Sequence, residues 1–251
     1  MKMRIGKNKK QKLAPVPAAL SLQWADLICG FEGREPLNEK FSGQISKPGI
    51  YAIIGPNGCG KSTLLKTWLG LHSPLKGSVT LDGQPISDKN HIQCGVGYVP
   101  QTHQVNKFYN ISVLDFVRFG LGPKKMTPTD EENVKNQIKI WDLLPHISQS
   151  FHELSGGQKT RAIIARAFVS QPQALFLDEP LANLDLCCQQ QLMETLHKQT
   201  HEKGLVVVMV DHHFGAYEKY IAEKINFARA HNSETCTISF ESRGHECCSP
   251  L

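Results

Sequence analysis

The chain of 251 residues is long enough for one or two domains and for a core that needs no disulfide staples. Its content of 40% hydrophobic and 20% charged residues excludes wholesale disorder, and its longest apolar run, Leu205 to Val210, is too short for a membrane-spanning helix. The net charge of +5 is concentrated in Lys2, Arg4, Lys7, Lys9, Lys10 and Lys12, and the remaining chain is nearly neutral, with no global bias toward nucleic acid.

Residues 1–19 read as a basic, flexible arm, either simply solvated or able to touch anionic lipid or RNA. Pro15 and Pro17 interrupt the short apolar stretch from Leu13 to Leu22, so it is a poor signal-peptide core and the protein is expected to be intracellular. Ser21 to Phe31 and Glu39 to Ile45 alternate like two strands of an antiparallel pair. Gly49 to Gly55 is an apolar run with the character of a buried strand. Lys61 to Leu71 has helical periodicity, and Gly77 to Gly83 and Gly95 to Pro100 read as further strands.

From about 102 to 155 the strand signals give way to helical ones. Ser112 can cap a helix through Val113, Phe116 and Val117, and Glu131 to Leu144 is amphipathic, with Pro123, Pro128 and Pro145 at the joins. Alternation then resumes: a helix from Gly156 to Val169, a strand from Ala174 to Asp178, a helix from Gln189 to Lys203 and a strand from Leu205 to Val210. Lys224 to Phe240 offers two strand-like pieces around a turn at Asn232-Ser233, and residues 231–251 are expected to be a C-terminal tail. None of the eight cysteines stands in C-x-x-C spacing, so free thiols are expected. Cys236, His245, Glu246, Cys247 and Cys248 could hold a soft metal or be incidental; their spacing matches no standard zinc site.

Two motifs carry chemistry directly. Gly55-Pro56-Asn57-Gly58-Cys59-Gly60-Lys61-Ser62 matches the phosphate loop G-x-x-x-x-G-K-S/T, with a strand before it and a helix after it. Its glycines let backbone N–H groups close around a phosphate, Lys61 reaches the β- and γ-phosphates, and the Ser62 hydroxyl can ligate magnesium. The second motif is a hydrophobic strand ending in Asp178-Glu179. Alternation along that strand is expected to turn Asp178 toward a magnesium ion and Glu179 toward an attacking water, as phosphoryl transfer requires.

Leu154-Ser155-Gly156-Gly157-Gln158 is the signature of ATP-binding cassette (ABC) ATPases. With Gln101 after Tyr98-Val99-Pro100, Leu181 to Asp185 after the acid pair, and His212 after Val206 to Val210, it makes the chain resemble that family over about residues 20–215. The resemblance implies a P-loop NTPase α/β fold with an antiparallel β subdomain and an inserted α-helical subdomain, spanning residues 20–230 with the insertion at about 102–155. It implies ATP and Mg²⁺ as ligands, and two copies packed head to tail, each signature closing over the other's ATP. It assigns Gln101 to sensing magnesium and water, His212 to the γ-phosphate, Thr63 to the phosphate site, and Asp185 to contacts across the dimer. His213 stands where the family often has an acid, and Ala182-Asn183 replaces a common Ser-Ala. Family members often stack adenine on a tyrosine before the phosphate loop; Phe31 is the candidate here, with plain packing as its alternative role.

One cassette, no fused span and a short interval from Lys61 to Ser155 point to a stand-alone subunit serving a separate membrane permease, peripheral on the inner face of the cell membrane. A solute-binding protein is an indirect partner, and no specific nucleic acid is expected. The stretch from Val99 through Gln101 and Ile111 to Val117 is similar to the ATPases of zinc and manganese importers. Iron-siderophore, haem or cobalamin import, and a non-transport ABC ATPase regulating a soluble partner, remain alternatives.

Overall fold

A computed structural model describes residues 20–86, 95–101, 110–123, 125–182, 184–212, 214–229 and 235–242. The basic arm, most of the segment after Gln101, Asn183, His213, the Asn232-Ser233 turn and the Cys/His-rich end lie outside the described residues.

Two sheets organise the chain. An antiparallel sheet has the order β2-β1-β4-β5, with β1 at Leu22–Ile28, β2 at Phe41–Ile45, β4 at Lys76–Leu81 and β5 at Gln84–Pro85. The larger sheet has the order β10-β9-β3-β8-β7-β6. In it β3 is Gly49–Ile54, β6 Val96–Val99, β7 Ala174–Asp178, β8 Val206–Val210, β9 Ile221–Arg229 and β10 Cys236–Ser242. Strands β9, β3, β8, β7 and β6 run parallel, and β10 is antiparallel to β9. The apolar runs of β3, β7 and β8 are almost wholly buried, as strands covered on both faces must be.

Successive side chains on these strands serve different layers. Tyr51, Ile53, Phe176 and Val208 pack with Leu64, Leu65 and Trp68 of helix α1 (Lys61–Trp68) and with Leu22, Trp24 and Leu27 of the antiparallel sheet. Ile50, Ala52, Leu175, Leu177 and Met209 pack instead with α4 (Gly156–Val169) and α5 (Leu186–Lys203). Helix α1 is therefore held between the two sheets. Helices α2 (Val113–Arg118) and α3 (Pro128–Ile140) join the second core through Val117 and Ile138. Gly120 lets the chain meet α4, where a Cβ would lie 2.0 Å from the Arg166 carbonyl oxygen.

Capping chemistry shifts the expected boundaries. Helix α1 stops at Trp68, not Leu71, because Gly70 (φ 65°) closes it, with Gly70 N–H donating to Thr67 O and Leu71 N–H to Lys66 O. Helix α3 begins at Pro128 rather than Glu131, since Thr127 and Asp130 form a capping box and proline suits the first helical position. Helix α5 begins at Leu186 rather than Gln189, because the Asp185 side chain accepts the Cys188 N–H at 2.8 Å. Residues 236–242, assigned above to the tail, form β10 and pair along β9; Cys236 N–H also donates to Leu37 O, and Phe240 stacks on Trp24.

Candidate functional site

Residues 55–60 join β3 to α1 at the C-terminal edge of the larger sheet. Glycine is required at both ends of the loop. At Gly55 a Cβ would lie 2.6 Å from Phe227 Cβ, and Gly60 has φ 93° with Leu37 3.0 Å from where a Cβ would stand. No side chain caps α1, so the N–H groups of its first turn remain for an anion. Lys61 is buried, its ammonium donating to the carbonyl oxygens of Gly55 at 3.0 Å and Pro56 at 2.7 Å. The Cys59 side chain points into the core, beside the buried Cys236 thiol, whose pKa is raised chiefly by burial.

Strand β8 lies between β3 and β7, which brings the ends of all three strands together. Ser62 Oγ donates to Asp178 Oδ1 at 2.8 Å. Burial pushes the Asp178 carboxyl above the usual carboxylate range and the charge on Glu179 adds to this, while Ser62, Lys66 and Lys61 partly oppose it. Glu179 is not turned away by strand alternation as expected. Strand β7 ends at Asp178, and Glu179 takes a left-handed backbone (φ 51°), a conformation costing about 1–3 kcal/mol outside glycine. Its N–H donates to Val210 O, and its carboxylate accepts Gln101 Nε2 at 2.6 Å and lies 3.5 Å from His212 Nε2.

Lys61, Ser62, Gln101, Glu179 and His212 border one open cleft of about 480 Å³, together with Phe31, Leu37, Asn57, Gly58, Gly60 and Thr63, while Asp178 is buried and bonds to Ser62 of the lining. Phe31 is 45% exposed on its rim, 4.9 Å from the His72 ring and beneath the Arg34 guanidinium. The aromatic wall, the anion-binding turn and the polar end thus lie in one concavity, an arrangement suited to a nucleotide. Asp178 and Ser62 are two oxygen donors within hydrogen-bond distance, one a desolvated carboxylate, and they fit a hard divalent cation. No cluster of three or more His, Cys, Asp or Glu side chains suited to a metal occurs among the described residues.

Ser155, Gly156, Gly157 and Gln158 do not line this cleft. Ser155 caps α4, and Gln158 returns its side chain to the Ser155 N–H at 2.8 Å. Gly156 is exposed, and a Cβ there would meet nothing within 4 Å, so packing within the chain does not require glycine. Asp185 is also outside the cleft, its carboxyl held below the usual range mainly by the Cys188 N–H.

Asp211 escaped sequence reasoning. It is 1% exposed, and its carboxylate accepts the N–H groups of Leu181 at 3.0 Å and His212 at 2.7 Å. An acid closing the apolar run from Val206 to Val210 was the available signal. Leu37, which backs Gly60, carried no signal at all.

Comparison with known proteins identifies the family. Residues 39–182 match the family model described as ABC transporter. The manganese transport system ATP-binding protein MntB of Listeria innocua is 34% identical over 72% of the chain and 76% of that relative. The zinc transport system ATP-binding protein AdcC of Streptococcus pneumoniae is 29% identical over 85% of the chain and 92% of its own length. The spermidine/putrescine import ATP-binding protein PotA of Borreliella afzelii is 36% identical over 67% of the chain, which spans about half (48%) of that relative. A dimeric ATP-binding cassette solved in a post-hydrolysis state with ADP and Pi superposes with a TM-score of 0.76 at 23% identity, over 89% of this chain and 100% of that one.

Proposed function

The chain belongs to the ABC transporter family as one of its ATPases, and from that premise we propose that it powers a separate permease importing a divalent metal ion such as zinc or manganese. The observation that carries the metal reading is the match to manganese and zinc import subunits over 72% and 85% of this chain. Polyamine import is the second reading, favoured by 36% identity to PotA over 67% of this chain.

In the proposed mechanism the phosphate loop and the start of α1 bind the ATP phosphates, and Phe31 stacks on the adenine. Lys61 turns from the Gly55 and Pro56 carbonyls to the β- and γ-phosphates. Asp178 and Ser62 would hold Mg²⁺, which when bound neutralises charge on the phosphate oxygens. Glu179 orients and deprotonates the attacking water, while Gln101 and His212, both on its carboxylate, fix its direction. The signature lies outside this cleft, so it acts on the nucleotide of a second copy. Differential affinity of ATP for the closed pair supplies the work passed to the permease. A solute-binding protein delivers the cargo, and the chain sits on the inner membrane face through the permease. No helix among the described residues is long and apolar enough to cross a membrane.

The Glu179→Gln variant tests this reading. It should bind ATP, elute as a dimer with ATP and magnesium, and turn over about 10²–10⁴-fold more slowly. Cells carrying it as their sole copy should lose uptake of zinc or manganese while retaining that of spermidine. A lasting monomer would overturn the paired mechanism, and selective loss of spermidine uptake would replace the metal with a polyamine.

A further inference from the structure

Tyr98 stands on β6 opposite Phe176 of the parallel strand β7. Asp178 follows Phe176 by two residues and shares its face of the sheet. That face is covered by α1, whose first turn carries Ser62. The Tyr98 side chain therefore belongs to the same layer as the Ser62–Asp178 pair.

The Tyr98 hydroxyl is buried and has no hydrogen-bond partner among the described residues. A hydroxyl withdrawn from water without a partner is costly, and native proteins keep few of them. Phenylalanine would fill the same space without that penalty. Burial and, after it, the negative charge of Asp178 raise the Tyr98 pKa to about 12, so the group remains a donor at any working pH. The register puts Tyr98 one same-face step along the sheet from Asp178, and Ser62 takes Asp178 Oδ1 directly.

We propose that Tyr98 is a positioning residue for the cation site, its hydroxyl donating to a water that bridges to Asp178 and belongs to the outer shell of the bound divalent ion. This rests on the reading that Asp178 and Ser62 hold Mg²⁺. Outer-shell partners of metal ligands typically govern metal affinity by about 10–100-fold.

The test is Tyr98→Phe in the full chain, with a fluorescent ATP analogue titrated with and without Mg²⁺, Mn²⁺ binding followed by electron paramagnetic resonance, and thermal unfolding without ligands. The expected result has opposite signs. Unfolding temperature without ligands is unchanged or higher, and nucleotide affinity without Mg²⁺ stays within about twofold. The Mg²⁺ and Mn²⁺ concentrations for half-saturation rise about tenfold. Half-saturation within twofold of the parent would overturn the inference. So would equal losses with and without metal, or a variant that unfolds several degrees lower, because each gives the hydroxyl another role. If the parent protein itself shows no metal-dependent gain in nucleotide affinity, the Asp178–Ser62 reading fails, and this inference with it.

Discussion

The Asp211 carboxylate accepts the backbone N–H of Leu181 at 3.0 Å, tying the end of β8 to the turn that follows the acid pair. The same carboxylate accepts the His212 N–H. One buried side chain thus sets two segments flanking Glu179, and its removal leaves two backbone donors without it.

Asp211→Ala should destabilise the protein by about 2 kcal/mol or more, since each buried donor left unsatisfied costs about 1–3 kcal/mol. ATP turnover should fall further than ATP affinity, because His212 loses its backbone anchor while the phosphate loop is untouched. Urea unfolding and steady-state hydrolysis measure the two effects; an unchanged midpoint would remove Asp211 from this role.

Asp178 has the opposite relation to stability. Its folded pKa is raised above the unfolded value, so the folded state holds the proton more tightly. Stability from this group is present below the unfolded pKa of about 3.9 and is lost as pH rises through the folded pKa. Without nucleotide or metal, Asp178→Asn should therefore unfold at a higher temperature than the parent at pH 8, with the gap closing toward pH 4. The same variant should lose metal-dependent nucleotide binding. Parallel pH curves for the two proteins would show that the carboxylate is not strained by burial.

Gly60→Ala would place a methyl group 3.0 Å from Leu37 Cδ1 on a backbone of φ 93°. The conformation alone costs roughly 1–2 kcal/mol for a residue with a Cβ, and relief would rotate the N–H groups at the start of α1. ATP affinity should fall at least about tenfold, the equivalent of 1.4 kcal/mol. Gly156→Ala is the control, because its Cβ meets open space within the chain: folding and monomer ATP affinity should be unchanged, and any loss of turnover should appear with dimer formation. Calorimetric ATP titration of both variants separates the cases.

Most elements were legible because their causes are local. The apolar runs of β3, β7 and β8 need only burial on both faces, and the helix from Gly156 to Val169 is announced by Ser155 and Gln158, which cap it. Boundaries slipped where a cap was overlooked, at Thr127 and Asp185, and where Gly70 ended α1. The C-terminal hairpin was legible as two strand-like pieces but not as part of the main sheet, because its first strand joins that sheet through β3, far away in the sequence.

The sequence by itself determined the phosphate loop, the acid pair and the signature, since each is a short run whose spacing carries its chemistry. Only the tertiary structure decided which of these act together. Strand order sets that: β8 between β3 and β7 brings Ser62 onto Asp178 across 116 positions and His212 onto Glu179. The left-handed backbone at Glu179, the two N–H groups that Asp211 accepts and the Tyr98 hydroxyl, without a hydrogen-bond partner among the described residues, cannot be read from the chain. Each is fixed by groups that meet only when the sheet closes, and hydrogen bonding and desolvation act through distance in space, not along the sequence.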